Sequence, residues 1–356
     1  VQIPSFSNTI IQWYNQNKRD LPWRNNKDPY SIWLSEIILQ QTKVAQGTPY
    51  FLKFIENFPD VLSLSKAKEE EILRLWQGLG YYSRARNLHK CAKILVEEYN
   101  GIFPSDYKTL LKLPGIGKYT AAAIASIGFD APVPVVDGNV YRVLSRIFGM
   151  FDDISNVSTF KLFFNLSQDL LHPKASGAYN QAVMELGALI CHPVAPQCEE
   201  CPFHNQCFAL NENKIQLLPV KTKKVKKRSK TIYYIVLKWN NQIALTIRDQ
   251  DGIWKNLYEF ISMETTKEPD EIDLLDHLKT LFHGLPSIHS IGPIGANMQK
   301  HILTHRIIYA NFIEIELNST NAVAFKDNKF QWYGIEKADE LPKPILIHNY
   351  LNEHFF

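Results

Sequence analysis

From Phe6 to about Ile190, apolar residues recur at helical spacing in segments of ten to fifteen residues. Short punctuation such as Asn57-Phe58-Pro59 and Asn100-Gly101-Ile102-Phe103-Pro104 separates them. This pattern predicts an all-α domain. Further on the period changes. Tyr233-Ile235-Leu237 and Ile243-Leu245-Ile247 alternate with other residues on either side of Asn240-Asn241, and Ile307 to Leu317 reads the same way, so a hairpin and further strands are expected in a smaller α/β domain. Between the two patterns, seven of the ten positions from Lys221 to Lys230 are Lys or Arg and none is acidic. Such a run cannot pack and predicts an exposed tether. The expected organisation is a helical domain over 1–215, a basic linker over 216–230 and an α/β domain over 231–356.

A chain of 356 residues with 45% apolar content is long enough for two packed cores. It has no run of about 18 apolar residues and no charged–apolar–small cleavage pattern near the start. A soluble, cytoplasmic protein is therefore expected, with no membrane partner. The net charge of +3 does not point to nucleic acid, and its distribution matters more than the total. Nothing in the pattern speaks for self-association, and a monomer is the default.

Four of the five cysteines, Cys191, Cys198, Cys201 and Cys207, fall within seventeen positions, with Pro193, Pro196 and Pro202 stiffening the turns. Too few for a disulfide scaffold, they have the clustering of metal ligands, and four thiolates on one loop suit either tetrahedral zinc or an iron–sulfur cubane. Cys91 stands alone in an apolar helical stretch and reads as a buried thiol without a role.

Two further stretches carry candidate chemistry. Leu113-Pro114-Gly115-Ile116-Gly117-Lys118-Tyr119-Thr120 lies between a helix expected to end near Lys112 and an Ala-rich helix expected from Tyr119 to about Ile127. Gly115 and Gly117 would let backbone N–H groups approach a phosphate, helped by the partial positive charge of the following helix start. Lys118 is expected to face phosphate or solvent. About twenty residues on, Asp137 precedes a helical stretch, so it suits an N-cap: an ionised, rigidly aimed carboxylate. The same properties would stabilise a developing sugar cation.

The x6-x2-x5 cysteine spacing resembles that of the endonuclease III and MutY glycosylases, in which it binds a [4Fe–4S] cluster. With the hairpin and Asp137, the resemblance to the helix–hairpin–helix glycosylase superfamily covers roughly Phe6 to Phe208. It implies double-stranded DNA as partner, Asp137 stabilising an oxocarbenium ion and Asn139 orienting Asp137. The lyase members carry a lysine where Tyr119 stands here, and a Schiff base needs that amine, so the resemblance implies a monofunctional glycosylase.

Leu21-Pro22-Trp23-Arg24 and Trp33-Leu34-Ser35-Glu36-Ile37-Ile38-Leu39-Gln40-Gln41-Thr42 are similar to the N-terminal signature of the MutY branch. Glu36 sits among large apolar residues, where burial raises a carboxyl pKa and lets the group donate a proton near neutrality; protonating N7 of adenine makes the base a better leaving group. Gln40, four residues on, shares its helix face. The resemblance implies further that Gln41 wedges into the duplex, that Leu79 and Tyr81 in Gln77-Gly78-Leu79-Gly80-Tyr81 meet the DNA, and that Arg24 and Gln181 meet the flipped base.

The stretch Gly252-Ile253-Trp254-Lys255-Asn256-Leu257 and the pair Thr304-His305 resemble the Nudix-like C-terminal domain of that branch, which contacts 8-oxoguanine. Leu303 stands where the family usually has an aromatic residue. The expected function is excision of adenine opposite 8-oxoguanine or guanine, in a prokaryote at the nucleoid.

Overall fold

The computed structural model describes residues 3–222, 227–249, 252–265, 267–283, 285–295, 298–318 and 324–356. It divides into two compact units, Val1–Ala67 with Arg86–Lys224, and Lys68–Ala85 with Val225–Phe356. The segment 68–85 therefore belongs by its packing to the second unit, although the helical pattern placed it in the first domain. No helix among the described residues is long and apolar enough to cross a membrane.

In the first unit, helix Pro29–Leu39 is apolar on nearly all sides: Tyr30 to Ser35, Ile37 and Ile38 are buried, as expected of a helix at the centre of a bundle. Its start is fixed by Pro29 at the first helical position and by Asp28, whose carboxylate accepts the N–H groups of Tyr30 and Ser31 at 3.2 and 3.0 Å. Helix Ser176–Leu189 packs against Ile3–Asn17 and Gly138–Phe148. Phe6, Ile10, Val140, Val143, Phe163 and Leu186 lie in their shared core.

The hairpin residues Leu113 to Gly117 lead into helix Lys118–Ala123, as the sequence pattern predicts. The helix does not run on regularly to Ile127. Residues Ile124–Gly128 form a π turn, against which Ser176–Leu189 packs so closely that a Cβ on Gly177 would come within 2.6 Å of the Ser126 carbonyl oxygen. Widened turns of this kind are characteristic of functional sites.

The second unit is built on one mixed sheet with strands β1 (Arg228–Trp239), β2 (Gln242–Ile247), β3 (Tyr258–Glu259), β4 (Ile261–Met263), β5 (Ile288–Ile291), β6 (Met298–Ile302), β7 (Arg306–Leu317) and β8 (Phe330–Gly334). The expected hairpin is present: β1 and β2 pair antiparallel with Trp239 opposite Gln242, and Asn240 and Asn241 take the left-handed conformation (φ 47° and 59°) that a two-residue hairpin turn requires. The centre of β1 does not alternate between core and solvent. Residues Ile232 to Leu237 are all buried, because β1 lies between parallel β7 and its antiparallel partners and both faces are covered. One face meets Leu274 and Leu278 of helix Glu271–Leu281, while Tyr234, Phe312 and Tyr350 form an aromatic stack elsewhere in the unit.

The basic linker is shorter than its composition suggests. Arg228 to Lys230 are strand residues paired with Arg306 to Ile308. At the other end, the Val220 carbonyl accepts from the Ile154 N–H at 3.0 Å and Thr222 hydrogen-bonds the Asp153 carboxylate. Residues 223–226 of the expected tether lie outside the described residues.

Candidate active site

Two helix starts and one helix face bring the expected catalytic groups together in the first unit. Asp137 is the N-cap of Gly138–Phe148, accepting the Val140 N–H and the Asn139 side-chain amide, both at 2.8 Å. The capping expectation holds. The strand-like approach to Asp137 is fixed by buried Asn180, whose side chain accepts the Val135 N–H at 3.0 Å and donates to the Val133 carbonyl and Ser126 hydroxyl, each at 2.8 Å. Asn139 is held in turn by Arg142, which donates to its Oδ1 at 2.8 Å and to the Gly187 carbonyl at 2.7 Å. Gly187 allows this approach, since a Cβ there would stand 2.6 Å from that of Asn139.

Burial pushes the Glu36 carboxyl up to about 7, and the Asp137 charge adds to this, while the Tyr119 hydroxyl and Arg24 pull it back. Glu36 is half-buried and lines a cavity, and the protein packed around it disfavours its charged form. The Tyr119 hydroxyl also lies 3.5 Å from the Met184 sulfur. Burial raises Asp137 above the ordinary aspartate value too, opposed by its bonds from Val140 and Asn139 and by the charge of Arg142. Of the two carboxyls, Asp137 has the donors that stabilise an anion. Glu36 is the one poised to hold a proton near neutrality.

The cavity beside Glu36 has a volume of about 420 Å³ and is walled by Trp23, Arg24, Ile32, Ile127 and Gln181. Gln181 accepts a hydrogen bond from Tyr14 at 3.0 Å. Arg24 is not a free cation: its guanidinium forks onto Glu185 at 2.9 and 2.8 Å. Gln40 reaches Thr120 at 3.5 Å, and Gln41 is exposed with a φ of 56°.

At the hairpin, Gly115 has a φ of +75°, and a Cβ there would lie 2.8 Å from that of Asn87, so only glycine fits. A Cβ on Gly117 would meet nothing within 4 Å, so the packing of the chain does not explain that glycine. Lys118 is exposed as expected, with its ammonium 4.5 Å from the centre of the Phe160 ring.

Cys191, Cys198, Cys201 and Cys207 line one cavity with Ile147, Leu186, Ile190 and Leu210. Burial and the mutual proximity of the sulfurs raise the Cys198, Cys201 and Cys207 thiols. The Arg146 charge counters this at Cys198 and Cys207, and its guanidinium donates to the Cys191 sulfur at 3.4 Å and to the His192 carbonyl at 2.7 Å. Among the described residues no three Cys, His, Asp or Glu converge on a point that would hold a single metal ion. Four soft thiols lining one cavity are the donor set of either a zinc ion or an iron–sulfur cluster.

In the second unit, Thr304 and His305 occupy the turn between β6 and β7, and the hydroxyls of Thr304 and Tyr81 are hydrogen-bonded to each other. Tyr81 is exposed in the left-handed conformation (φ 50°). Leu79, expected to meet DNA, is instead buried, with 7% of its surface exposed; its apolar side chain serves the packing and is not presented to a ligand.

The chain is 39% identical over 346 residues to the adenine DNA glycosylase of Buchnera aphidicola subsp. Baizongia pistaciae, which spans 96% of this chain and 94% of that protein. It is 35% identical over 343 residues to the enzyme of Buchnera aphidicola subsp. Acyrthosiphon pisum, covering 96% and 95%. The chain belongs to the adenine DNA glycosylase family. It is thus a DNA glycosylase, a hydrolase of base excision repair, as the N-terminal signature suggested. The mouse adenine DNA glycosylase is 44% identical over 216 residues, covering 58% of this chain and 42% of that protein.

The profile of the HhH-GPD superfamily of base excision DNA repair proteins matches residues 34–166, and that of the NUDIX domain matches residues 232–353. The helical and mixed-sheet parts are therefore the glycosylase and Nudix-like domains expected. A thermostable thymine-DNA glycosylase superposes with a TM-score of 0.54 at 31% identity, covering 59% of this chain and 97% of that one. An endonuclease III in complex with DNA shares the fold, with a TM-score of 0.51 at 21% identity over 60% and 98% of the two chains.

The sequence reading missed Tyr14, Asn180, Met184, Glu185 and Arg142. For Glu185 there was a signal: it is the one acid in Ala182-Val183-Met184-Glu185-Leu186-Gly187-Ala188-Leu189 and lies four residues after Gln181, on the same helix face.

Proposed function

We propose that this glycosylase is monofunctional and removes adenine opposite 8-oxoguanine or guanine, leaving the sugar–phosphate backbone uncut. One observation carries the chemistry: a carboxyl raised to about 7, Glu36, shares the Tyr119 hydroxyl's surroundings with the N-capping carboxylate of Asp137. Glu36 protonates N7 of the flipped base, which draws electrons from the N-glycosidic bond and turns adenine into a neutral leaving group. As the bond breaks, positive charge grows on the sugar, and Asp137, held by Val140 and Asn139, stabilises it without having to reorganise. Water then adds to give the abasic site. A phenol at position 119 cannot form the Schiff base that strand scission requires.

Trp23 and Ile32 supply apolar walls for a purine, while Arg24 and Gln181 supply polar contacts for its edge. Gln41 is the proposed wedge and Tyr81 the proposed intercalating side chain. The hairpin backbone at Gly115 to Lys118 would bind phosphate without reading sequence. We assign recognition of the opposite base to the second unit: the Thr304 hydroxyl can exchange its bond to Tyr81 for one to the N7–H or O8 of an oxidised guanine.

Cys191, Cys198, Cys201 and Cys207 would hold a [4Fe–4S] cluster. When bound, it cross-links the loop through four iron–thiolate bonds and stabilises the fold there. Arg146 and Arg142 tie this loop to the helix that Asp137 caps.

The test is to assay base release and strand scission separately on duplexes with adenine opposite 8-oxoguanine, adenine opposite thymine and thymine glycol. Adenine release opposite 8-oxoguanine, without scission and abolished by Glu36→Gln, is expected. Release of thymine glycol with scission would overturn the reading.

A further inference from the structure

The buried carboxylate of Glu185 is gripped by two guanidinium groups at once. Its side chain is 1% exposed. Arg19 donates to it from Nε at 2.9 Å and Nη2 at 2.7 Å, and from its backbone N–H at 2.9 Å. Arg24 donates from Nη1 at 2.9 Å and Nη2 at 2.8 Å. Arg24 Nη1 also donates to the Arg19 carbonyl at 3.1 Å, and the Arg24 guanidinium lies 5.7 Å from the Tyr14 ring centre. The two forks leave the guanidinium of Arg24 little freedom to turn.

The placement matters because Arg24 lines the cavity with Glu36, whereas Glu185 does not. Two cations against one anion leave a net positive charge on the cavity wall. In a site of low dielectric, this charge acts on any carboxyl beside it. The charged and titratable groups that act on Glu36 are Tyr119, Asp137 and Arg24; those that face Glu185 are Arg19 and Arg24, with Tyr14 beside them.

We propose that Glu185 is a positioning residue for base release: it fixes the Arg24 guanidinium in the cavity wall and, with Arg19, sets how much positive charge the proton donor Glu36 meets. This inference rests on the reading of Glu36 as the acid and extends it. Removing the Glu185 charge leaves Arg24 less compensated, so Glu36 gives up its proton at lower pH. Removing the Arg19 charge leaves Glu185 fully on Arg24, so Glu36 keeps its proton to higher pH. A purely structural role cannot produce shifts of opposite sign.

The test uses the full chain in single-turnover adenine release across pH values on both sides of neutrality. Affinity is measured in parallel on a duplex carrying an uncleavable adenosine analogue. Glu185→Gln should slow release about tenfold at near-unchanged affinity and move the alkaline limb of the pH profile to lower pH. Arg19→Gln should move that limb to higher pH; because Arg19 is one-third exposed, this variant tests the idea even where Glu185→Gln fails to fold. Limbs that stay in place, or move in the same direction, would overturn the proposal. Glu36→Gln in the same assay separates the two claims: wild-type release by that variant removes the acid reading and the proposal with it.

Discussion

Arg142 donates through Nε to the carbonyl of Cys191 at 2.6 Å and through Nη2 to the Asn139 side chain at 2.8 Å, so one guanidinium joins the cysteine loop to the amide that orients Asp137. Arg142→Gln cannot make both bonds. Hydrogen bonds to a charged group contribute about 1.5–3 kcal/mol, so release should slow by roughly 10- to 100-fold if the lost orientation is felt in the transition state. Single-turnover release measured beside DNA affinity checks this, because the change acts on Asp137 and not on the hairpin that meets phosphate.

Adenine release should follow a bell-shaped pH profile. Glu36 acts as a protonated acid, and its carboxyl is raised to about 7, so the rate should fall as pH rises through about 7. Asp137 acts as an anion and is raised above the ordinary aspartate value by burial, so an acidic limb should appear above the range of a free aspartate. Glu36→Gln should abolish release at every pH; a surviving alkaline limb in that variant would assign the limb elsewhere.

Stability at low pH should depend on Glu185. Its two arginines lower the carboxyl from 4.5 to about 2 in the folded state. The resulting stabilisation is present in full above the unfolded value and is lost as pH falls from about 4.5 towards 2. The shift corresponds to roughly 3 kcal/mol, reduced by the partial exposure of Arg19. Urea unfolding at neutral and acidic pH should show the loss in the wild type and a smaller loss in Glu185→Gln, whose neutral side chain has no such proton to take up.

Thr304→Ala removes the hydroxyl bonded to Tyr81 and keeps the turn between β6 and β7. Release of adenine opposite 8-oxoguanine should slow by about tenfold or less, the value of one hydrogen bond, with little change opposite guanine, whose N7 lacks the proton. Competition between the two duplexes in one reaction measures the ratio directly; an unchanged ratio would assign the reading of the opposite base to another residue.

Much of the molecule was legible in the chain. The change from helical spacing to alternation, the two glycines of the hairpin, the capping Asp137, the cysteine cluster and the lone acid Glu36 on an apolar helix are local patterns, and local physics decides them: backbone sterics, capping and side-chain periodicity act over a few residues. The course of the central strand β1, the π turn at Ile124–Gly128, the burial of Leu79 and the inclusion of 68–85 in the second unit were not legible, because each depends on what packs against the segment from far along the chain. The same division runs through the site. Sequence picked out Glu36, Tyr119 and Asp137 one by one. Only the folded chain set Glu185 against Arg24 across 161 positions and Arg142 against Cys191 across 49, since hydrogen bonds and charge act through space and burial decides their strength.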